Sequence, residues 1–151
     1  MVKIIAHRGN TDGPNPATEN TPTSIRCAIA LGFDCEVDVW YINGEYYLGH
    51  DFPHTRIAYT FLTEFADRLW VHCKHLDALL RLKDTLNCFY HDKDIYTLTS
   101  RGYVWGNINS PTNASVIQVM PEKGGTFSTN CAGICTDFPH RYATILPNES
   151  K

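Results

Sequence analysis
The chain opens on a short, nearly continuous apolar run at residues 2–6 that ends in His7-Arg8-Gly9. That is the pattern of a strand buried on both faces of a parallel sheet, with polar residues at its C-terminal mouth. A loop rich in Gly, Pro and Asn follows over 10–18, and then a helix signal. Thr21 can cap, Pro22 suits the first helical position, Ile25, Ala28 and Ile29 form one apolar stripe, and Gly32 is placed to end it. Over 35–40 polarity alternates, which sends Glu36, Asp38 and Trp40 to one face and Val37 and Val39 to the other. Asn43-Gly44 predicts a tight hairpin that returns the chain along 45–48.

The spacing predicts helices over 60–68 and 76–83 on either side of a strand at 69–74. Beyond them the elements shorten, with strands expected at 88–91, 104–107, 116–120 and 133–136 and brief connections between them. Short strands alternating with helices or helical turns indicate a parallel α/β sheet, open or closed into a barrel. A complete eightfold barrel takes roughly 200 residues or more, so a barrel built from this chain would lack several helices. No internal repeat, low-complexity tract or linker interrupts the sequence.

Composition narrows the picture. With 151 residues, 43 % of them hydrophobic, a single domain spanning 1–151 with one sizeable core is expected. The formal charge of −3 and the pI near 6.1 argue against an extended nucleic-acid surface, though a small anion can still be held by one or two basic side chains. No apolar stretch is long enough for a transmembrane helix or a signal peptide, so a cytoplasmic protein is expected. The six cysteines read mostly as reduced, buried small hydrophobes. Cys131-x3-Cys135 with His140 is at best half of a zinc site, because no partner pair completes four ligands. Asn113-Ala114-Ser115 matches a glycosylation acceptor, which has no consequence without secretion.

Glu36 and Asp38, two apart on a strand, present neighbouring carboxylates. Their repulsion is relieved by a shared cation, a shared proton or solvent, and Val37, Val39 and Trp40 beside them favour a buried element over a solvated outer face. Arg8 just past a strand end can hold a phosphate through paired N–H donors, with Gly9 allowing close backbone approach. Of the seven histidines, His7 and His50 fall at strand ends beside other polar candidates, while His91-Asp92-Lys93-Asp94 reads either as a polar strand end at the mouth or, slightly favoured, as a solvated turn. The aromatic residues read as core or mouth packing. One tension is built in: a strict two-residue hairpin turn would put His50 opposite Val37, facing away from Glu36 and Asp38, unless a feature at Gly49 reverses it.

Ala6-His7-Arg8-Gly9, Glu19-Asn20-Thr21, Glu36-x-Asp38 and Gly44 to His50-Asp51, in this order, resemble the glycerophosphodiester phosphodiesterase family and the related spider-venom phospholipase D enzymes. The likeness is densest in the first third of the chain. Val71-His72-Cys73-Lys74, Val104-Trp105-Gly106-Asn107 and Gly133 to Pro139 look like later strands of the same pattern. The resemblance implies a shortened TIM-type (β/α) barrel with several reduced or missing helices. It also implies a metal-dependent phosphodiesterase acting on a glycerophosphodiester or lysophospholipid-like small molecule, by hydrolysis or by cyclisation. By position, Glu36 and Asp38 would bind one divalent metal, His7 and His50 would form the acid/base pair, Arg8 and Lys74 would hold the phosphate, and Glu19, Asn20 and Trp105 would support the site.

The sequence departs from the family at His72, where a third acidic ligand is expected. Either His72 completes the shell, where an imidazole favours Mn²⁺ or Zn²⁺ over the Mg²⁺ or Ca²⁺ that the resemblance implies, or another acid such as Glu122 does, or the metal is weakly held. The alternative function is a non-catalytic barrel that keeps a phosphate-ligand pocket. A barrel stripped of outer helices would also expose apolar faces that a homo-oligomer could cover.

Overall fold
The computed structural model describes residues 2–124 and 126–146. In chain order the elements are β1 (Lys3–His7), α1 (Pro22–Ala30), β2 (Asp34–Ile42), β3 (Glu45–Leu48), β4 (Thr55–Ile57), α2 (Tyr59–Glu64), β5 (Leu69–Cys73) and α3 (Leu76–Leu82). They continue with β6 (Asn87–Phe89), β7 (Tyr96–Leu98), β8 (Val104–Gly106), β9 (Val116–Val119), α4 (Pro121–Gly124), β10 (Gly133–Thr136) and α5 (Pro139–Ile145).

The strands form one curled sheet in which β6, β5, β2, β1, β10, β9 and β8 lie side by side and parallel, with β7 antiparallel on β8. The hairpin β3–β4 extends β2 antiparallel beyond the point where β1 stops. The two ends of the sheet meet through Ser100, which exchanges hydrogen bonds with the Cys88 backbone at 2.7 and 2.9 Å. This is a shortened TIM-type barrel: α1, α2 and α3 cover one half, while β7, a loop and the single turn α4 stand where further helices would be.

Alternation along the strands makes two apolar layers. Val37, Val39, Val71 and Cys73 point outward and pack with Ile25, Leu62 and Leu82 of the helices. Each fully buried aliphatic side chain there stabilises by roughly 1.5–3 kcal/mol. Ile5, Trp70, Phe89, Trp105, Ile117 and Cys135 point inward and fill the barrel. On β2 the inner face carries Asp34, Glu36 and Asp38 in succession. Asp34, at the closed end, accepts from Arg68 Nε (2.6 Å), Trp70 Nε1 (3.1 Å) and Lys3 Nζ (3.4 Å), which leaves the upper two acids at the open end.

Several expected elements hold. Thr21 caps α1 in a reciprocal box with Ser24, Pro22 opens the helix, and Ile42 pairs with Glu45 across a two-residue turn. The helix expected over 60–68 is shorter, ending at Glu64, because the sheet claims the residues that follow: Arg68 turns to pair with Asp34, and its carbonyl accepts from Cys35 N–H. The strand expected over 88–91 starts one residue earlier and ends at Phe89. The three-residue strands β4 and β7 and the closing helix α5 carried too little periodicity to be foreseen.

The hairpin tension resolves at Gly49. Its φ of +146° breaks the ladder after Leu48, while its N–H still reaches the Asp38 carbonyl at 3.2 Å. His50 is thereby turned onto the inner face. A Cβ at Gly49 would collide with the Phe52 carbonyl and meet the His54 ring at 2.8 Å. Gly49→Ala is therefore expected to lower stability by about 1–3 kcal/mol in urea unfolding, and to displace the His50 imidazole signals in an NMR spectrum.

Candidate active site
Two residues with left-handed backbones bracket the site. Arg8 (φ 53°) and Asn20 (φ 54°) are tied together by Asn20 N–H to the Arg8 carbonyl at 2.9 Å. Such conformations cost on the order of 1–3 kcal/mol and persist where surrounding contacts demand them. Here Arg8 N–H donates to Glu36 Oε2 at 3.2 Å, and the Asn20 side chain both donates to Asp38 Oδ2 (2.9 Å) and accepts from Asp38 N–H (3.0 Å). Gly9 lets the loop pass α1, since a Cβ there would lie 2.8 Å from Ser24 Oγ. Glu19 accepts from Arg8 Nη1 at 2.9 Å and holds the guanidinium in place.

Asp38 is fully buried and surrounded by basic groups: His72 Nδ1 at 2.9 Å, His50 Nδ1 at 3.2 Å, Arg8 Nε at 3.3 Å and Lys74 Nζ at 3.4 Å. Burial opposes its ionisation, but the hydrogen bonds from His50 and His72 and the charge of Lys74 prevail and hold its carboxyl well below the usual range. Glu36 is in the opposite position. It is 2 % exposed and its nearest imidazole, His7 Nε2, is 4.0 Å away. Burial and the neighbouring Asp38 push its pKa up. A buried carboxylate that is short of positive charge is what a bound cation would relieve. Glu36, Asp38 and His72 each offer a ligand atom, all within 4.8 Å of one another.

Two imidazoles flank this group, each tied by Nδ1 to a carboxylate. His50 is tied to Asp38, and His7 to Asp137 Oδ1 at 2.8 Å. Asp137 is itself held by Asn10 Nδ2 (2.9 Å), and its backbone N–H donates to Glu122 Oε1 (3.1 Å). Burial works against protonated His7, but the Asp137 hydrogen bond and the charge of Glu36 outweigh it, and its pKa lies above the ordinary value. Asp137 is correspondingly lowered, burial being overcome by His7 and Asn10.

The cleft above holds about 200 Å³. One end is lined by His7, Arg8, Glu36, Asp38, His50 and His72, the other by Phe89, His91, Trp105, Asn107, Ile108, Met120 and Lys123. All ten residues singled out from the sequence therefore fall in or against one mouth. Lys74 and Glu19 reach it through Asp38 and Arg8, and Trp105 stacks on Phe89 with ring centroids 4.4 Å apart. Glu122, the alternative ligand, stands outside the Glu36–Asp38–His72 group: its Oε1 accepts from the Thr136 hydroxyl and the Asp137 N–H, while its Oε2 is buried without a hydrogen-bond partner among the described residues. Of the two readings of His91, the structure shows the polar strand end at the mouth and not the slightly favoured solvated turn. It is half-buried, stacks on His72 at 4.8 Å, and is kept toward its neutral form by burial together with His72 and Lys74.

Asp137 and Asn10 were missed as site residues. The one available signal was polar residues directly following a buried strand, at Thr136-Asp137 and at Gly9-Asn10. Cys131 packs in the outer layer beside Tyr142 and Cys135 in the barrel interior, so the two thiols serve different clusters.

Fold and site together define a shortened TIM-type barrel with a buried carboxylate–imidazole cluster at the C-terminal ends of its strands. The structure resembles that of "a putative glycerophosphodiester phosphodiesterase from Galdieria sulphuraria", with 98 % of each chain covered, a TM-score of 0.51 and 14 % sequence identity, a likeness of fold. No protein-family model matches the chain, and no curated protein matches its sequence.

The His7–Asp137 pair carries a pH signature. A lowered carboxyl stabilises above its ordinary value of 3.8 and loses this as pH falls through its folded pKa. A raised imidazole stabilises below its ordinary 6.5 and loses this as pH rises through its folded pKa. Both contributions are present together between those values. Asp137→Asn should therefore destabilise the protein more at about pH 5 than at about pH 9, by on the order of 1–3 kcal/mol at the lower pH, measured by urea unfolding at both.

Proposed function
We propose that the protein is a metal-dependent phosphodiesterase that cleaves a small phosphodiester by histidine acid/base catalysis. The observation that carries this reading is the pair of imidazoles beside the Glu36, Asp38 and His72 group, His50 anchored through Nδ1 to Asp38 of that group and His7 to Asp137 outside it. With Nδ1 occupied, each ring keeps Nε2 for proton transfer, and an imidazole is suited to both roles near neutral pH.

In this reading Glu36, Asp38 and His72 hold one divalent metal, which when bound would neutralise phosphate oxygens as charge redistributes. Arg8 and Lys74, both within reach of Asp38, bind the same oxygens as fixed positive charges. One histidine takes the proton from the attacking hydroxyl, of water or of the substrate itself, and the other protonates the leaving alkoxide. Glu19 and Asn20 keep Arg8 and Asp38 in place, and Trp105 walls the cleft. The likeness of fold to a structure named as a phosphodiesterase supports the reaction class.

The imidazole of His72 in the donor set favours Mn²⁺ over Mg²⁺ or Ca²⁺. Mn²⁺ is expected to raise the melting temperature of the parent protein more than Mg²⁺ does. His72→Asp should reverse that order and Glu36→Gln should abolish both shifts, as read by differential scanning fluorimetry after EDTA treatment.

Turnover is tested by screening glycerophosphodiesters and lysophospholipids with Mn²⁺, Mg²⁺ or Ca²⁺ and following product by ³¹P NMR. His7→Ala should reduce the rate at least about 100-fold, and equal product release by both proteins would remove His7 from the mechanism. A second reading, a phosphate-ligand binder without turnover, is favoured by the four basic groups converging on Asp38. It would show as saturable binding of a phosphodiester that is recovered unchanged.

A further inference from the structure
The strand that leads to the partner of His7 stops one residue short of it. The β10 ladder pairs Thr136 with Ala6 on one side and Cys135 with Val119 on the other, so Asp137 stands beyond the register of both neighbours. Its carboxylate must nevertheless be held still, because Asp137 Oδ1 meets His7 Nδ1 at 2.8 Å. An ionised carboxylate only accepts, so the ring donates from Nδ1 and leaves Nε2 on the side of Glu36. Two segments outside the sheet hold the Asp137 backbone. Its carbonyl accepts from Gly13 N–H at 2.8 Å, and its N–H donates to Glu122 Oε1 at 3.1 Å. The same oxygen accepts from the Thr136 hydroxyl at 2.9 Å, and that hydroxyl accepts from Phe138 N–H at 3.0 Å, so the contact reaches the residues before and after Asp137.

Glu122 arrives there by a strained route. Met120, 2 % exposed, takes a φ of 49° directly after β9 and swings the chain into α4, while its N–H still bonds to the Cys135 carbonyl at 2.8 Å. A left-handed backbone at a residue without a short polar side chain persists where the surrounding contacts demand it. Arg8 and Asn20 adopt the same region, and both serve the acids of β2. Glu122 Oε2 is buried without a hydrogen-bond partner among the described residues, a further cost that the fold accepts to keep Oε1 on its two donors. We propose that Glu122 is a positioning residue for His7, which it orients through the backbone and then the carboxylate of Asp137. On the phosphodiesterase reading, which this role rests on, Glu122 stands behind the cleft lining and keeps His7 Nε2 aimed at the reacting group.

The test is long-range ¹H–¹⁵N NMR correlation of the imidazoles in the metal-free full chain at alkaline pH, which reads which nitrogen of each neutral ring carries the proton. The His7 signals are assigned by their loss in His7→Ala. The parent should show His7 protonated at Nδ1. Glu122→Ala should move that ring toward a mixture of the two tautomers, and Glu122→Gln, which keeps an oxygen acceptor at the same reach, should restore it. Thr136→Val, which removes the other donor to Glu122, should lower the urea midpoint and leave the His7 signals in place. In turnover, Glu122→Ala should lower kcat roughly tenfold to a hundredfold with KM little changed. If Glu122→Ala does not fold, Glu122→Asp, which draws the acceptor back by one methylene, carries the same comparison.

The role of Glu122 is overturned if its removal leaves the His7 signals where they are in the parent, or if Glu122→Gln displaces them as far as Glu122→Ala does. It is also overturned if Thr136→Val displaces them equally, since any loosening of α4 would then suffice. Displaced His7 signals in Glu122→Ala, with a parent that turns over no phosphodiester, would count against the phosphodiesterase reading and leave the positioning of His7 standing.

Discussion
The inner face of β2 carries a charge problem that organises the rest of the molecule. Asp38 has no solvent exposure and Glu36 almost none, and a buried carboxylate without compensation costs several kcal/mol. The surrounding sequence reads as the solution to that cost. Arg8 takes a left-handed backbone so that its N–H meets Glu36 and its guanidinium meets Asp38. Asn20 takes another so that its amide brackets Asp38 from two sides. His50, His72 and Lys74 arrive from β3 and β5 onto the same oxygens. Compensation is uneven, with Asp38 well supplied and Glu36 short, so the cluster differs from a closed ion pair and its three donors form a candidate cation site.

Asp34 shows the same residue type two positions earlier with a different outcome. It faces inward as well, but at the closed end of the barrel, where Arg68, Lys3 and the Trp70 indole satisfy it. Position along one strand, and not residue identity, separates a carboxylate satisfied by fixed partners at the closed end from those that face the cleft.

Much of this was legible before the structure because the signals are local. Alternation over 35–40 fixes which carboxylates share a face, and Thr21-Pro22 with Asn43-Gly44 fixes a helix start and a hairpin. What stayed hidden depends on contacts across the barrel. The partner of His7 is Asp137, 130 residues away, and no spacing rule joins them. His91 looked solvated from its Asp and Lys neighbours, yet His72 on the adjacent strand stacks on it. The facing of His50 turned on one backbone angle at Gly49, a quantity that pattern alone leaves open. The weak elements β4 and β7, three residues each, are set by the strands they pair with and not by their own composition.

The seam between β6 and the segment beside β7 has no ladder of its own. Ser100 bridges to Cys88 and Leu86, Arg101 N–H reaches Asn87, and Phe89 and Trp105 meet across it inside the barrel. Side chains and a few isolated backbone bonds tie two strands less firmly than a continuous ladder, which makes this seam the least tied part of the cylinder. The same wall carries His91, Trp105 and Ile108 along the cleft. The barrel's least laddered stave and the apolar half of the cleft are therefore the same piece, set opposite the acids on β2.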